Sequence, residues 1–351
     1  MDTLTHALSG ALIARATAPR PGKPHAIPLS RRIGLGFFAA AFPDLDVVTS
    51  WMSPLSYLYY HRGVTHSLIM LPLWSLLLAW LCTLIWRRGP PWRGYFGVFA
   101  WGLGIHIAGD VITSFGTMIF APFSDARYEI STTFIIDLWF TGIIVAALIA
   151  AWVWRRSRMP AMAGFMVLVC YIGLQYAMQQ RAEEFGEAYA RAAGMNGATV
   201  AAQPRPVSPF NWMVVITNGD HYHYSLVNLV RSEPLTVGAD AGFIRKLSAP
   251  YLPVDQAVWN VASRFGTAPA EARAAREAWS QPEFAFFRWF ALYPVLYKVE
   301  PGNPELCVWF HDLRFFTPGR ATWPFRYGVC REGAGEWKPF QLVGNLRYPV
   351  Y

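Results

Sequence analysis

The sequence predicts a mainly α protein, in which a six-helix integral membrane bundle is followed by a smaller α+β, β-rich extracytoplasmic domain. Of its 351 residues, 54% are hydrophobic and 15% are charged, whereas soluble domains usually carry about 25% charged residues. Residues 67–86 and 159–178 contain no charge, and residues 135–154 contain one, Asp137. Because about 20 apolar residues cross a bilayer, these runs predict membrane spans. The alternative is three buried helices of a large soluble protein.

Six apolar stretches predict the helices of a first domain, residues 1–180. They cover about residues 4–18, 33–48, 67–86, 94–112, 135–154 and 160–179. A bend is expected at Pro72. The first, second and fourth helices are rich in glycine or alanine, which favours close contact between helices.

The remainder of the chain is more polar and predicts a different kind of structure. Residues 181–210 are expected to continue the last helix and then form a Pro-rich linker, and residues 211–351 to form the α+β domain. Asn218-Gly219 predicts a β-hairpin turn. A helix is expected within 263–279, and strands at 285–299, 306–316, 326–330 and 341–343. Cys307 and Cys330 are able to pair if this domain lies in an oxidising compartment.

The distribution of lysine and arginine predicts the orientation in the membrane. Basic residues concentrate in segments 15–32, 87–93 and 155–158, which are therefore expected in the cytoplasm. The net charge of +8 thus indicates a lipid bilayer as partner, and no nucleic acid is expected. Segments 44–66 and 112–134 then lie outside, together with the N-terminus and everything after about residue 180.

Seven histidine and aspartate residues in or beside these helices are the candidate metal ligands. They are His6, Asp44, Asp46, His61, His66, His106 and Asp110. Ionisable groups are costly in or near lipid, and histidine with carboxylate is a ligand set for zinc or a similar divalent ion. The predicted orientation, which uses only lysine and arginine, places all seven on the outer side. Asp137 lies on the same side, where it either caps the fifth helix or joins the site.

The spacing of these residues favours a shared site. His106 and Asp110 are four apart on a helix and project from one face. Asp44 and Asp46 would repel each other when both are ionised, and a metal ion relieves that repulsion. The alternative is that each residue is an ordinary core, loop or helix-end residue.

A Gly-containing turn separates His61 from His66, so both side chains can point inward. Arg62 is placed to hold an anionic oxygen such as that of a phosphate. A site with two metal ions positions a water, lowers its pKa and stabilises charge on the attacking and leaving oxygens. This chemistry suits hydrolysis of phosphoesters first, and of amides or other esters second.

Four motifs together resemble a known family. They are residues 1–8 (MDTLTHAL), 42–46 (FPDLD), 61–67 (HRGVTHS) and 106–110 (HIAGD). This combination resembles the YdjM-like family, inner-membrane proteins of bacteria and archaea that are labelled membrane-bound metal-dependent hydrolases, some of them regulated by LexA. The resemblance covers residues 1–180 strongly and the tail more loosely.

That family is distantly similar to zinc-dependent phospholipases C and fungal single-strand nucleases, which are all-helical enzymes with clustered zinc ions and a His-x-x-x-Asp helix. The similarity implies that Asp46 lies behind the ligands or acts as a base. The ligands that it implies are His6, Asp44, His61, His66, His106 and Asp110.

The sequence therefore predicts a membrane-bound metal-dependent hydrolase that cleaves a phosphoester of a lipid or envelope-linked substrate by metal-activated water. One to three divalent ions, most simply zinc, are the expected cofactor. Asp44 or Asp46 would position or deprotonate the water, and Arg62 would stabilise the anion. The expected location is the inner membrane, with an extracytoplasmic metal site. The alternatives are a transporter and a non-enzymatic envelope stress factor with a structural metal.

Overall fold

The chain forms two compact units, one helical and one built on two β-sheets. The computed structural model describes residues 1–19, 27–238, 240–302, 304–320 and 323–350. The first unit comprises Met1–Thr49 and Tyr59–Ala177, and the second comprises Ser50–Leu58 and Met178–Tyr351. Arg20 and Lys23, which belong to the first predicted basic segment, lie outside the described residues.

The N-terminal half is helical, as predicted. Its α-helices are α1 (Thr3–Ala16), α2 (Leu29–Ala41), α3 (Pro54–Tyr60), α4 (Leu71–Ile85), α5 (Trp92–Val111), α6 (Leu138–Val153) and α7 (Met159–Ala192). Two 3-10 helices, Pro43–Trp51 and Val64–His66, lie between α2 and α4. The last helix continues to Ala192, so the prediction that it extends through its polar residues is confirmed.

The prediction of six membrane spans is wrong. Within the described residues, two helical segments are long and apolar enough to cross a membrane, Leu29–Trp51 and Met159–Ala192. A third span would require Pro54–His66 and Leu71–Ile85 to act together across a 76° bend. Helices α1, α4 and α6 have 14, 15 and 16 residues, or about 21–24 Å at 1.5 Å per residue. They are shorter than the roughly 30 Å hydrocarbon core.

The charge-free run 67–86 is shorter as a helix because its first residues form a turn. The Ser67 hydroxyl accepts hydrogen bonds from the backbone N–H groups of Ile69 and Met70. Pro72 then lies in the first turn of α4, where proline has no helical N–H bond to lose. Pro72 therefore starts this helix and does not bend it.

Small residues bring α1, α2 and α5 into close contact. A Cβ atom added at Gly10 would lie 2.1 Å from the carbonyl oxygen of Gly36, and one added at Gly36 would lie 2.4 Å from that of Gly10. On α5, a Cβ at Gly102 would lie 2.4 Å from the Cβ of Ala39. The predicted close helix packing is present, and it determines how near His6 and His106 come to each other.

The second unit contains two five-stranded sheets. Its strands are β1 (Thr199–Pro204), β2 (Asn211–Asn218), β3 (His221–Asn228), β4 (Leu252–Pro253), β5 (Trp259–Ser263), β6 (Pro294–Pro301), β7 (Glu305–Asp312), β8 (Tyr327–Glu332), β9 (Lys338–Val343) and β10 (Leu346–Pro349). Its further helices are α8 (Phe243–Ser248), α9 (Pro269–Ser280) and α10 (Ala285–Phe290). The first sheet has the order β1-β2-β3-β4, with β5 also paired to β3, and the second has the order β10-β9-β8-β7-β6.

The sheets agree with most of the predicted strands. β2 and β3 form the predicted hairpin at Asn218-Gly219, where Gly219 has a φ of +61° that favours glycine. The segment 285–299 begins as helix α10 and becomes strand only at Pro294. The strand prediction is therefore wrong for the first residues of this segment. Phe286, Phe287 and Phe290 are buried at helical spacing, and this packing explains why the aromatic run forms a helix.

A disulfide links two neighbouring strands of the second sheet. Cys307 on β7 and Cys330 on β8 are direct cross-strand partners, with an S–S distance of 2.02 Å. The two remaining cysteines, Cys82 and Cys170, are free thiols on α4 and α7. The pairing left conditional by the sequence is thus present in the folded chain.

Candidate metal centre

The structure brings the seven predicted ligands together in the first unit. His6 lies on α1, and His106 and Asp110 lie on α5. The 3-10 helix Pro43–Trp51 carries Asp44 and Asp46. The segment between α3 and α4 carries His61 and His66. Each of the seven lies within 3.6 Å of at least one other.

Four of the seven form a group with the geometry of a metal site. Asp44, His66, His106 and Asp110 offer one ligand atom each, and these atoms lie within 4.8 Å of one another. Asp110 Oδ2 is 3.2 Å from His66 Nε2 and 3.4 Å from His106 Nε2, and both nitrogens are 3.6 Å from Asp44 Oδ1. Tetrahedral donors at about 2.0–2.2 Å from zinc would be separated by about 3.3–3.6 Å. The observed separations fit such an ion.

The same four side chains carry buried atoms that have no hydrogen-bond partner in the described structure. These atoms are His66 Nε2, His106 Nε2, Asp44 Oδ2 and Asp110 Oδ2. Leaving a buried polar atom unpaired costs about 1–3 kcal/mol, more for a charged group. Three of them, His66 Nε2, His106 Nε2 and Asp110 Oδ2, lie within 3.6 Å of another ligand atom of the same group. A shared divalent cation would satisfy these atoms.

Hydrogen bonds on the far side of each imidazole orient its free nitrogen. His106 Nδ1 is 2.6 Å from the carbonyl oxygen of Ala40, so it carries the proton and leaves Nε2 as a free acceptor. His66 Nδ1 lies 2.9 Å from Thr65 Oγ1 and 3.3 Å from Asp46 Oδ2. Such outer contacts fix the tautomer and the ring orientation of metal-binding histidines.

Asp110 divides its two oxygens between two tasks. Its Oδ1 accepts from the Met1 amino group at 2.5 Å, and it lies 3.0 Å from both His6 Nε2 and Arg62 Nη2. Its Oδ2 faces His66 and His106. The three donors satisfy one oxygen and hold the carboxylate so that the other oxygen points into the group.

His6 supports this arrangement from behind. Its ring stacks on His106 with centroids 3.7 Å apart, and a Cβ added at Gly109 would lie 3.0 Å from its Cε1. Burial and the neighbouring His106 lower the pKa of the His6 imidazole to about 3, so it is neutral and donates its Nε2–H to Asp110. Burial, with the nearby charge of Arg62, lowers the pKa of the Met1 amino group to about 6.

Asp46 and His61 form a second layer beside the group. Asp46 Oδ1 is 2.8 Å from His61 Nδ1, and its Oδ2 accepts from the backbone N–H of Arg62 and the hydroxyl of Thr65, both at 3.1 Å. Both carboxylate oxygens of Asp46 are therefore occupied.

The Arg62 guanidinium is buried in protein contacts. Besides Asp110, it donates through Nη1 to Thr113 Oγ1 at 2.9 Å and lies over the ring of Phe115 at 4.8 Å. Only 2% of the residue is exposed. Arg62 holds Asp110 in this conformation, and its role toward a substrate anion stays a prediction.

Asp137 caps α6. Its carboxylate accepts from the backbone N–H groups of Trp139 and Phe140, from the hydroxyl of Tyr171 and from the amide of Gln175. The sequence left open whether Asp137 caps a helix or joins the metal site, and in the structure it caps the helix. Thr113 is a further residue of this region that no local sequence pattern marks, because it contacts the group through Arg62 and the backbone carbonyl oxygen of Asp110.

The apolar helices and this group of donors define the class of protein. It is a membrane protein with a candidate metal site built from histidine and aspartate. The chain belongs to the YdjM inner membrane protein family, whose family model matches residues 1–182. It is 24% identical over 193 residues to the uncharacterized protein YfhP of Bacillus subtilis (strain 168), which covers 52% of this chain. The chain spans about 55% of that relative's length.

No solved structure matches the chain. The family predicted from four short motifs is thus confirmed for the helical half. The more distant similarity to zinc-dependent phospholipases C and single-strand nucleases stays a prediction.

Proposed function

We propose that this protein is a membrane-bound, metal-dependent hydrolase that cleaves a phosphoester of a lipid or envelope-linked substrate. The observation that carries the proposal is the group formed by Asp44, His66, His106 and Asp110, whose ligand atoms lie within 4.8 Å of one another and each of which carries a buried polar atom without a hydrogen-bond partner among the described residues. Two imidazoles and two carboxylates suit zinc or a similar divalent ion. Such an ion, when bound, supplies a Lewis acid for a phosphoryl oxygen and lowers the pKa of a water.

The exposure of the four side chains supports an accessible site. Asp44 is 13% exposed, whereas His66, His106 and Asp110 are at most 1% exposed. Water and substrate would therefore approach past Asp44. We assign Asp44 to positioning the attacking water and accepting its proton. Asp46 keeps His66 in orientation through its Nδ1.

We further propose that the metal site and the second unit are extracytoplasmic. The Cys307–Cys330 disulfide supports this location for the second unit, because disulfides persist in oxidising compartments. The concentration of arginine at the N-terminal ends of the two candidate spans, Leu29–Trp51 and Met159–Ala192, supports the same orientation. A zinc hydrolase in that position would meet lipid head groups and envelope-linked esters directly.

A second function, a structural metal without hydrolysis, is favoured by one observation. Four protein donors are enough to fill a tetrahedral zinc shell, and structural zinc sites are closed in this way. A catalytic site keeps one position open for water. The partial exposure of Asp44 favours the catalytic alternative, because water could reach an ion held by the group from that side.

The proposed activity predicts phosphoester hydrolysis that depends on His66. Detergent-purified full-length protein loaded with zinc is expected to release p-nitrophenol from bis(p-nitrophenyl) phosphate or phosphate-containing head groups from phospholipid micelles. His66→Asn removes a donor atom and is expected to reduce the rate by about a hundredfold or more. His223→Asn, a histidine change in the second unit, is the matched control and should retain the wild-type rate.

The outcomes separate the two functions. Hydrolysis that persists in His66→Asn would exclude this group as the active site. Protein that binds zinc stoichiometrically but cleaves neither a phosphodiester nor a phospholipid would favour the structural metal.

A further inference from the structure

A groove at the arginine-bearing end of the first unit lies between α1, α2 and α6. Its volume is about 370 Å³. Leu29 and Ile33 of α2 and Leu148 of α6 supply apolar walls, and Arg15 and Arg155 supply the charge. We propose that this groove binds one anionic phospholipid, with the phosphate at the two arginines and an acyl chain along the apolar walls.

The positive charge at this end has no counter-charge in the neighbouring sequence. Residues 3–43, 47–109 and 138–182 contain no aspartate or glutamate. The arginines that end or begin the helices here are Arg15, Arg31, Arg32, Arg87, Arg88, Arg93, Arg155, Arg156 and Arg158. Across the part of the chain that the structure describes, no ion pair joins any of them to a carboxylate. Anionic lipids attract basic residues at a membrane surface, so a lipid head group could supply the negative charge that the neighbouring sequence lacks.

The groove holds one arginine in a fixed position. Arg15 is 5% exposed, and its Nη2 donates to the carbonyl oxygens of Arg155 and Ser157 at 2.9 and 2.5 Å. These two bonds use one nitrogen of a group that has five N–H donors. The Arg15 guanidinium is therefore already fixed in position at the wall of an open groove. It can bind an anion with little further loss of side-chain conformational entropy.

Arg155 supplies a second, exposed donor. Its Nε donates to the carbonyl oxygen of Trp152, and its guanidinium carbon lies 4.9 Å from the centroid of the Trp152 ring. Its two Nη nitrogens bond to no other residue that the structure describes. By contrast, Arg32 and Arg158 donate to backbone carbonyls at the end of α1. Arg155 is therefore the arginine available to pair with a phosphate.

The apolar walls select a lipid over a free phosphate ion. Leu29 is 37% exposed and Trp152 is 65% exposed, so the groove opens along an apolar surface. Tryptophan is enriched where the hydrocarbon meets the head groups. A bare anion would contact only the arginines, whereas a phospholipid satisfies the arginines and covers the apolar surface.

Native mass spectrometry of the detergent-purified full chain tests this site. Phosphatidylglycerol and phosphatidylcholine with identical acyl chains are titrated separately, and the dissociation constant of the first bound lipid is measured. Phosphatidylglycerol should bind more tightly. Arg155→Gln should weaken its binding about fivefold, while Arg156→Gln, which removes the same charge one residue away and does not line the groove, should leave it within about twofold.

A second variant distinguishes binding of the lipid in the groove from attraction by positive charge alone. Ile33→Trp fills the apolar wall without changing the charge and should also weaken phosphatidylglycerol. The proposal is overturned if the two lipids bind equally, if Arg155→Gln and Arg156→Gln have equal effects, or if Ile33→Trp has none. Displacement of the lipid by millimolar inorganic phosphate would also overturn it, because the groove would then accept a free anion.

Discussion

Asp110→Asn is expected to remove the bound metal and also to destabilise the metal-free helical unit by about 3–5 kcal/mol. The Asp110 carboxylate is the shared partner of the Met1 amino group and the Arg62 guanidinium, both of which are buried. Removing one partner of a buried ion pair leaves an uncompensated charge, which has this cost. Asparagine keeps the size of the side chain and therefore isolates the loss of charge.

The measurement is thermal unfolding of the detergent-purified protein in the presence of a chelator, so that the metal does not contribute to the difference. Asp44→Asn is the control. It removes a candidate ligand but leaves all three contacts of Asp110 Oδ1 in place. Both variants should lose metal, and only Asp110→Asn should unfold at a clearly lower temperature. Identical unfolding temperatures for the two chelated variants would contradict the role given to Asp110.

Gly36→Ala is expected to destabilise the helical unit by about 1–3 kcal/mol, the usual cost of overpacking, and to weaken metal binding. Its new Cβ would lie 2.4 Å from the backbone oxygen of Gly10 and 2.5 Å from the Cβ of Ala14. The only relief is a shift of α1 away from α2. That shift moves His6 and the amino group of Met1, which together hold the ligand Asp110.

Gly34→Ala is the matched control two residues earlier on the same helix. Its added Cβ would meet nothing within 4 Å, and alanine favours the helix by about 1 kcal/mol over glycine. Unfolding temperature and zinc content should both be unchanged or slightly higher in Gly34→Ala and lower in Gly36→Ala. If the two variants behave alike, the contact between α1 and α2 does not position the site.

The membership of the candidate site was largely predictable from residue type and spacing. His106 and Asp110 are placed by helix periodicity alone. Residue type and spacing did not separate the tasks of Asp44 and Asp46, because these tasks depend on which oxygen meets a donor from a distant segment; only the resemblance implied that Asp46 lies behind the ligands or acts as a base. Asp46 is occupied by His61, by the backbone N–H of Arg62 and by Thr65, whereas Asp44 keeps a buried free oxygen.

The helices were predictable, but the number of spans was not. Hydropathy marks where an apolar helix occurs, and α1, α5 and α6 lie within about two or three residues of their predicted ends. Whether a helix spans a membrane depends also on its length, and turns shorten it. Ser67 takes the N–H groups of the residues that would have extended α4. Such side chain to backbone contacts have a weak sequence signal.

The central claim is that Asp44, His66, His106 and Asp110 hold a divalent metal ion. Metal content by mass spectrometry of detergent-purified protein, prepared without chelator, tests it directly. Wild-type protein should contain at least one zinc or similar ion per chain, as the four-donor group requires. His106→Ala should lose that ion, and His223→Ala should keep it. No stoichiometric metal in the wild type, or equal metal in His106→Ala, would contradict the account.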